Sequence, residues 1–507
     1  MSAQSTRFSF LLKIGVAAAL AAAFDWLFPH QIGGLGVGIF ALSWLLGLIL
    51  ARPDVRQARI DVAAALACAA LFCASLAFDA GILAKTLFWA TLSLAALLPR
   101  TTGFDDAWRW LVRLGLHGAT GLAKPLIDIA HLGTIRPRGK KLSLRSLAAI
   151  LGLPLIGTAI FTALFAAANP VIADILQRIQ LPPLSEILEW IAVILLVWPA
   201  LRPHRFITRL KLPEPRIALP GASLLSVLIA LAMFNALFAL ENGLDIAFLW
   251  SGASLPVGMN MTEYVHRGAY PLIVTALLAG LFVLTMLRPG TATANNKAAR
   301  WLVALWVAQN VFLVASSALR TIRYIVEFEL TAWRIAALLW MALVAFGLLL
   351  ICWRIWFAKS ARWLINANAL AATLVLIPCC FVDLDAIAAQ WNVRHAAEVG
   401  GSGQKIDLCY LSSMGAPALL PLVELEQRPI PTDLRVRVAA VRSDLLDALI
   451  AAQTHWWSWT PHGAMRLTHA WIRLGSNPPR PPALPERSYR SCDGSIVTPT
   501  LTDTPAQ

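Results

Sequence analysis

The sequence predicts an all-α polytopic integral membrane protein of about eleven transmembrane helices, N-terminus inside, with a small helical C-terminal domain outside. Three observations predict it. Apolar residues make up 58% of the chain and charged ones only 14%, which is not the composition of a soluble domain. The apolar residues gather into blocks of about twenty, the length that crosses a hydrocarbon core about 30 Å thick as a helix, the form that satisfies its own backbone polar groups in lipid. The net charge of +14 lies mostly in alternate short loops between those blocks, so it follows the positive-inside rule and calls for no nucleic acid.

Taken in order, the first expected span is 14–28, preceded by Arg7 and Lys13; because the apolar run continues past Ala21-Ala22-Ala23 through Trp26, it reads as a span and not as a cleaved leader. The second, 33–50, carries Gly34 and Gly38 in a G-x-x-x-G that lets a neighbouring helix approach closely. Spans 62–78 and 81–98 follow the arginine-bearing loop 52–59, with Lys85 placed to snorkel from the outer end of the fourth. Residues 100–145 carry nine Lys/Arg against three Asp and should be cytoplasmic, their stretch 108–129 amphipathic and lying on the inner surface. Further spans are expected at 147–168, kinked by Pro154, and at 187–201, 219–240, 271–287, 301–319, 335–356 and 363–382. An odd number of spans from an inside N-terminus puts the C-terminal tail outside.

Two stretches hold the densest polar groups on the expected outer side. Within 256–270, Glu263, His266 and Arg267 share a helical face beside Tyr264, at the mouth of the span 271–287. Asn260 with Glu263 also reads as a capping box, and Glu263 with Arg267 as an intrahelical pair. Within 320–334, Arg320, Arg323, Tyr324, Glu327, Glu329 and Arg334 lie between two spans. The candidate ligand-binding set is Glu263, Tyr264, His266, Arg267, Arg323, Tyr324, Glu327 and Arg334, the two groups facing each other across one groove; a charged helical hairpin pairing internally is the plainer reading of the second group.

The domains expected are 1–382, transmembrane; 383–476, helical and extracytoplasmic; and 477–507, Pro-rich and disordered. The part from Asp383 onward balances eleven Lys/Arg against twelve Asp/Glu. Of seven cysteines, Cys68, Cys73, Cys352, Cys379 and Cys380 sit in or beside spans as small hydrophobes, while Cys409 and Cys492 could pair if the tail is outside the cytoplasm. No zinc or redox spacing is present. Gly-Gly-Ser-Gly-Gln-Lys at 400–405 fails the phosphate-loop spacing. His455, His462 and His469, seven residues apart, are too far apart along a helix for one ion, and Pro461 intervenes. No metal or cofactor is expected.

Several motifs occur in order: Thr-Glu-Tyr-Val-His-Arg-Gly at 262–268, Tyr324, Leu-Thr-Ala-Trp-Arg at 330–334, Asn-Val-Arg-His-Ala at 392–396, Asp-Leu-Cys-Tyr-Leu at 407–411, Ala-Pro-Ala-Leu at 416–419 and Trp-Ser-Trp at 457–459. On these the chain resembles a bacterial multi-pass membrane family with a domain of unknown function, numbered 4173, over about 222–471. The resemblance implies architecture and residues to test, and no activity. The chain departs from it at Phe328-Glu329, where similar proteins tend to have Tyr-Gly, and at Gly415, where they tend to have Asp, so no carboxylate precedes Ala416 here.

Among function classes, an enzyme on an envelope or lipid-linked substrate would use Glu263 or His266 as acid or base with arginines holding an anion, but the sequence shows no metal set, no nucleophile elbow and no catalytic residue. A secondary transporter of a small solute would place ionisable groups mid-membrane, where the spans hold mainly Asn235, Gln309, Asn310, Asn366 and Asn368. The remaining class, and the one preferred, is a non-enzymatic sensing or scaffolding component of the bacterial inner membrane. Its partners are the lipid bilayer and an envelope protein or small molecule.

Overall fold

Leu, Ala, Ile and Val fill the apolar blocks, and in the computed structural model these blocks are helices. The structure describes residues 3–29, 32–56, 59–132, 182–210, 223–251, 296–475, 478–485 and 488–498, with scattered helical residues between 152 and 165 and at 274, 278 and 282. Among the described residues, nine helices are long and apolar enough to cross a membrane. They coincide with nine of the eleven expected spans; the expected spans 147–168 and 271–287 lie mostly outside the described residues.

The chain divides into two units. The first contains α1 (Ala3–Leu27), α2 (Gly34–Ala51), α3 (Ile60–Phe78), α4 (Ile82–Leu97), α5 (Ala107–Gly121), α6 (Lys124–Leu132) and α7 (Leu184–Leu201). α2 packs on α3 and α3 on α4 as successive antiparallel neighbours, and Gly38 sits against the backbone of Ala77, so a side chain there would meet main chain. The ends of α2, α4 and α7 converge around Arg52, which is 1% exposed. Its guanidinium donates to Asp54 (2.5 and 3.1 Å) and to the carbonyls of Ala96 (2.5 Å) and Ala200 (3.3 Å). Arg100 donates to the Pro203 carbonyl at 2.8 Å, and Arg202 lies over the Phe10 ring at 4.8 Å. The cationic ends of three helices thus meet the start of α1. α5 and α6 are the amphipathic pieces expected after the fourth span; Asp128 of α6 accepts from Lys124 (2.5 Å) and the Trp198 indole (2.9 Å).

The second unit contains α8 (Leu224–Leu244), which winds on into a π-helical turn Asp245–Trp250, then α9 (Lys297–Phe328), α10 (Ala332–Trp356) and α11 (Ala361–Cys379). Five helices of the C-terminal domain follow: α12 (Leu384–His395), α13 (Leu408–Met414), α14 (Leu419–Glu426), α15 (Thr432–Thr454) and α16 (Pro461–Leu474). Short polar side chains start many of these helices by accepting an N–H of the first turn: Asn296 from Ala299 (3.0 Å), Thr331 from Arg334 (3.3 Å), Ser360 from Trp363 (3.1 Å), Asp383 from Ala386 (2.9 Å) and Thr460 from Gly463 (3.0 Å). Pro461, expected to interrupt a helix, opens one. Val393, Leu411, Leu422, Val438 and Ala470, all fully buried, form the core of this domain.

The expectation of a disordered Pro-rich end is corrected for residues 489–497, where β1 (Tyr489–Arg490) and β2 (Ile496–Val497) form an antiparallel hairpin. The turn between them carries Cys492, which is disulfide-bonded to Cys409 of α13. Buried Arg442 of α15 pairs with Glu426 (2.7 Å) and donates to the Pro479 carbonyl (2.5 Å), so part of the Pro-rich segment is also fastened to the core. Proline content suggested a solvated coil; the cross-link and the buried arginine override it.

Candidate functional site

The helical path of α9 is longer than its apolar block. The ninth span was expected to end at 319, yet α9 continues to Phe328, so Arg320, Arg323, Tyr324 and Glu327 stand on its last turns. Arg320, 3% exposed, forms an ion pair with Asp245, which is fully buried on the π-helical turn. Arg323 donates to the Leu249 carbonyl at 2.6 Å, and the Trp250 indole to Ser316 at 3.0 Å. The same seam continues down the two helices, with Asn235 donating to the Leu302 carbonyl (3.0 Å), Gln309 to Asn235 (2.9 Å) and Asn242 to the Gln309 carbonyl (3.4 Å). The residue numbers rise together on both sides, so α8 and α9 run parallel, joined by a ladder of polar contacts where lipid offers none. A π-helical turn beside a buried charge pair inside apolar helices is the arrangement expected at a working site.

At the end of α9 the chain reverses through Glu329 and Leu330 into α10. Glu329 adopts φ 64° and ψ 166°, a region natural to glycine and costly for any other residue. Its side chain explains why the conformation is held: Oε1 accepts the Asp407 N–H at 3.0 Å and Oε2 lies 3.5 Å from Asn392 Nδ2. Asn392 also clamps the next residue, accepting the Leu330 N–H at 2.6 Å and donating to the Leu330 carbonyl at 3.0 Å. Below the clamp, Ile325, Leu330 and Ala388 are buried together, with Trp391 and Met414 packed on them. The membrane hairpin α9–α10 is thereby joined to α12 and α13 of the C-terminal domain.

Burial is the main cause that raises the Glu329 carboxyl above its ordinary value, and the Asp407 carboxylate adds to it; the Asp407 N–H and Arg334 pull the other way without winning. Burial likewise raises the nearby Tyr410 hydroxyl, with the Asp385 charge second.

Of the sequence-predicted site residues, Tyr324 and Arg334 are brought together. The Arg334 guanidinium lies over the Tyr324 ring at 4.5 Å, and Tyr324 stacks on Phe328 with ring centres 4.5 Å apart. Arg334 Nη1 donates to the carbonyls of Phe328 (2.5 Å) and Glu329, the open C-terminal end of α9. Glu327 is exposed, and Arg323 turns to the π-helical turn. Glu263, Tyr264, His266 and Arg267 lie outside the described residues. Sequence reasoning left Glu329, Asn392, Asp407 and Asp245 out of the set. Three of them stand in or beside motifs that the sequence singled out, and what they share is a joint whose members are more than sixty residues apart, 329 with 392 and 407.

Among the described residues, no group of three or more His, Cys, Asp or Glu could hold a metal ion. No curated protein and no solved structure matches the chain. The family number suggested by the motifs, 4173, is not the one that matches. The model of the domain of unknown function DUF4153 covers residues 62–425, from the start of α3 to the end of α14 and so through the polar seam and the joint, and the chain belongs to that family.

Proposed function

We propose that the protein is a non-enzymatic sensing or scaffolding component of a bacterial inner membrane. In this reading the helical domain 383–476 lies outside the cytoplasm and receives a protein or small molecule, and the joint at Glu329, Leu330 and Asn392 passes its state to α9 and α10. The joint is the observation that carries the reading: a strained residue, held by the Asp407 N–H and the Asn392 side chain of the domain, sits at the turn between two membrane-spanning helices.

The disulfide Cys409–Cys492 supports an oxidising compartment for the tail. Helix direction supports eleven spans. Phe10 near the start of α1 meets Trp198 and Arg202 near the end of α7, so these two are antiparallel and need an even number of crossings between them; α8 and α9, being parallel, need an odd number. The expected spans 147–168 and 271–287 supply the parity in each case. The arginines gathered at the ends of α2, α4 and α7 support an inside N-terminus.

Within this reading the expected ligand set Glu263, Tyr264, His266, Arg267, Arg323, Tyr324, Glu327 and Arg334 remains the proposed outer polar site, its first four members lying outside the described residues. The test is Asn392→Ala in the full chain. Hydrogen exchange at 326–331 should quicken at least tenfold while α15 keeps its protection; unchanged exchange at 326–331 would mean that the joint transmits nothing. A secondary transporter is the second reading, favoured by one observation, the buried Asp245–Arg320 pair on a π-helical turn.

A further inference from the structure

The first unit holds a cavity of about 480 Å³ that the joint and the polar seam do not use. It lies among α1, α2, α3, α4 and α7, lined from the ends of α1 and α3, α2 as far as Trp44, the first half of α4, and Leu196 of α7. Phe28, Ile32 and Val37 line it around the α1–α2 turn, Phe40 and Trp44 line it further along α2, and Phe88 and Trp89 line it from α4. From Val37 to Trp44 is seven residues of helix, about 10 Å along its axis, most of one leaflet of a hydrocarbon core about 30 Å thick. The size is that of a ligand pocket and not of a packing defect. The rings that line it are set by one another, with Phe24 and Phe40 at 5.5 Å, Phe40 and Trp44 at 6.3 Å and Trp44 and Phe88 at 5.8 Å, so the wall is preformed.

The lining is apolar with two exceptions, both near the start of α4: Lys85 and Thr86, each exposed. The Thr86 hydroxyl is spent on the Ile82 carbonyl at 2.9 Å, which leaves Lys85 as the charge at the rim. An aromatic slot that runs about 10 Å along α2 with one exposed cation at its rim complements an amphiphile with an acyl chain and an anionic head. We infer that this cavity is a binding site for one anionic phospholipid, its chain lying against Phe40, Trp44 and Trp89 and its phosphate at Lys85. A zwitterionic lipid offers the same chain but carries its own cation beside the phosphate, so it gains less from Lys85.

The experiment is native mass spectrometry of the full chain, purified in mild detergent, delipidated and titrated with phosphatidylglycerol or phosphatidylcholine of the same chains. The expected result is one phosphatidylglycerol retained in preference to phosphatidylcholine, the preference falling about fivefold in Lys85→Gln, as for one cation at a membrane surface. Ala41→Phe, which fills the cavity from a buried position in its wall, should remove binding of both lipids. Equal retention of the two lipids by the unaltered protein overturns the inference, and so does an unchanged preference in Lys85→Gln. Because Lys85 is exposed, its variant keeps the test decisive if Ala41→Phe fails to give a sharp melting transition.

Discussion

Glu329 shows what one residue can hold at cost. A non-glycine residue in this backbone region loses about 1–3 kcal/mol, and the Asp407 N–H bond returns about 1 kcal/mol. Glu329→Gly should therefore raise the melting temperature, by a net amount on the order of 1 kcal/mol, while loosening α13 from the hairpin. A fall in melting temperature would show that the side-chain bonds outweigh the strain. The pH dependence has a definite sign. The folded carboxyl titrates above its ordinary value of 4.5, so its contribution is fully present below that pH and is lost as pH rises through the folded value. Glu329→Gln should then stabilise the protein at pH 7 and leave it unchanged near pH 4, which thermal melts at the two pH values would test; a gain of equal size at both would exclude ionisation as the cause. The sequence marked this position as one of the polar groups within 320–334 and as a departure from Tyr-Gly in similar proteins. The physical reason for glycine there becomes visible once φ is known, and no local pattern announces a left-handed turn that a distant asparagine holds shut.

The spans were legible because lipid enforces them: blocks of apolar residues about twenty long have few alternatives to helix. The ends were less so. Hydropathy stops at 319, whereas α9 runs nine residues further because Arg320 finds Asp245 and Arg323 finds a carbonyl of the π-helical turn. Partners between separate helices leave no trace in a periodicity. Asp245→Asn and Arg320→Met should each destabilise the protein by about 3–5 kcal/mol, since either removes one half of a buried ion pair, and the double variant should cost less than the sum. Strict additivity in thermal melts would mean the two charges act independently. The C-terminal hairpin gives a second expectation at this scale. Ending the chain after Leu474 deletes Cys492 and the carbonyl that Arg442 holds, and membrane abundance should fall several-fold, with free Cys409 detectable by thiol labelling. Abundance equal to that of the full chain would restore the reading of this segment as a passive tail.

At the scale of the whole molecule, charge and crossing number have to agree. With the five free cysteines replaced, a new cysteine at Arg56 or Lys359, both exposed, should resist an impermeant thiol reagent in intact cells, while one at Ser402 should react. Labelling at Arg56 with protection at Ser402 would invert the topology and the proposed site with it. The disulfide bears on the order in which the protein is made. Cys492 follows every helix of the C-terminal domain in the chain, and its partner Cys409 lies eighty-three residues earlier. In the proposed topology, a chain emerging from the ribosome inserts its spans and exports α12 to α16 ahead of the closing cysteine. The domain can collapse early, but it can be locked only after the last helix has passed. Any nascent chain that stalls before that point reaches the membrane with its spans in place and Cys409 still a thiol. Quality control by a thiol-reading chaperone or protease could then tell a finished molecule from an unfinished one at a single sulfur atom.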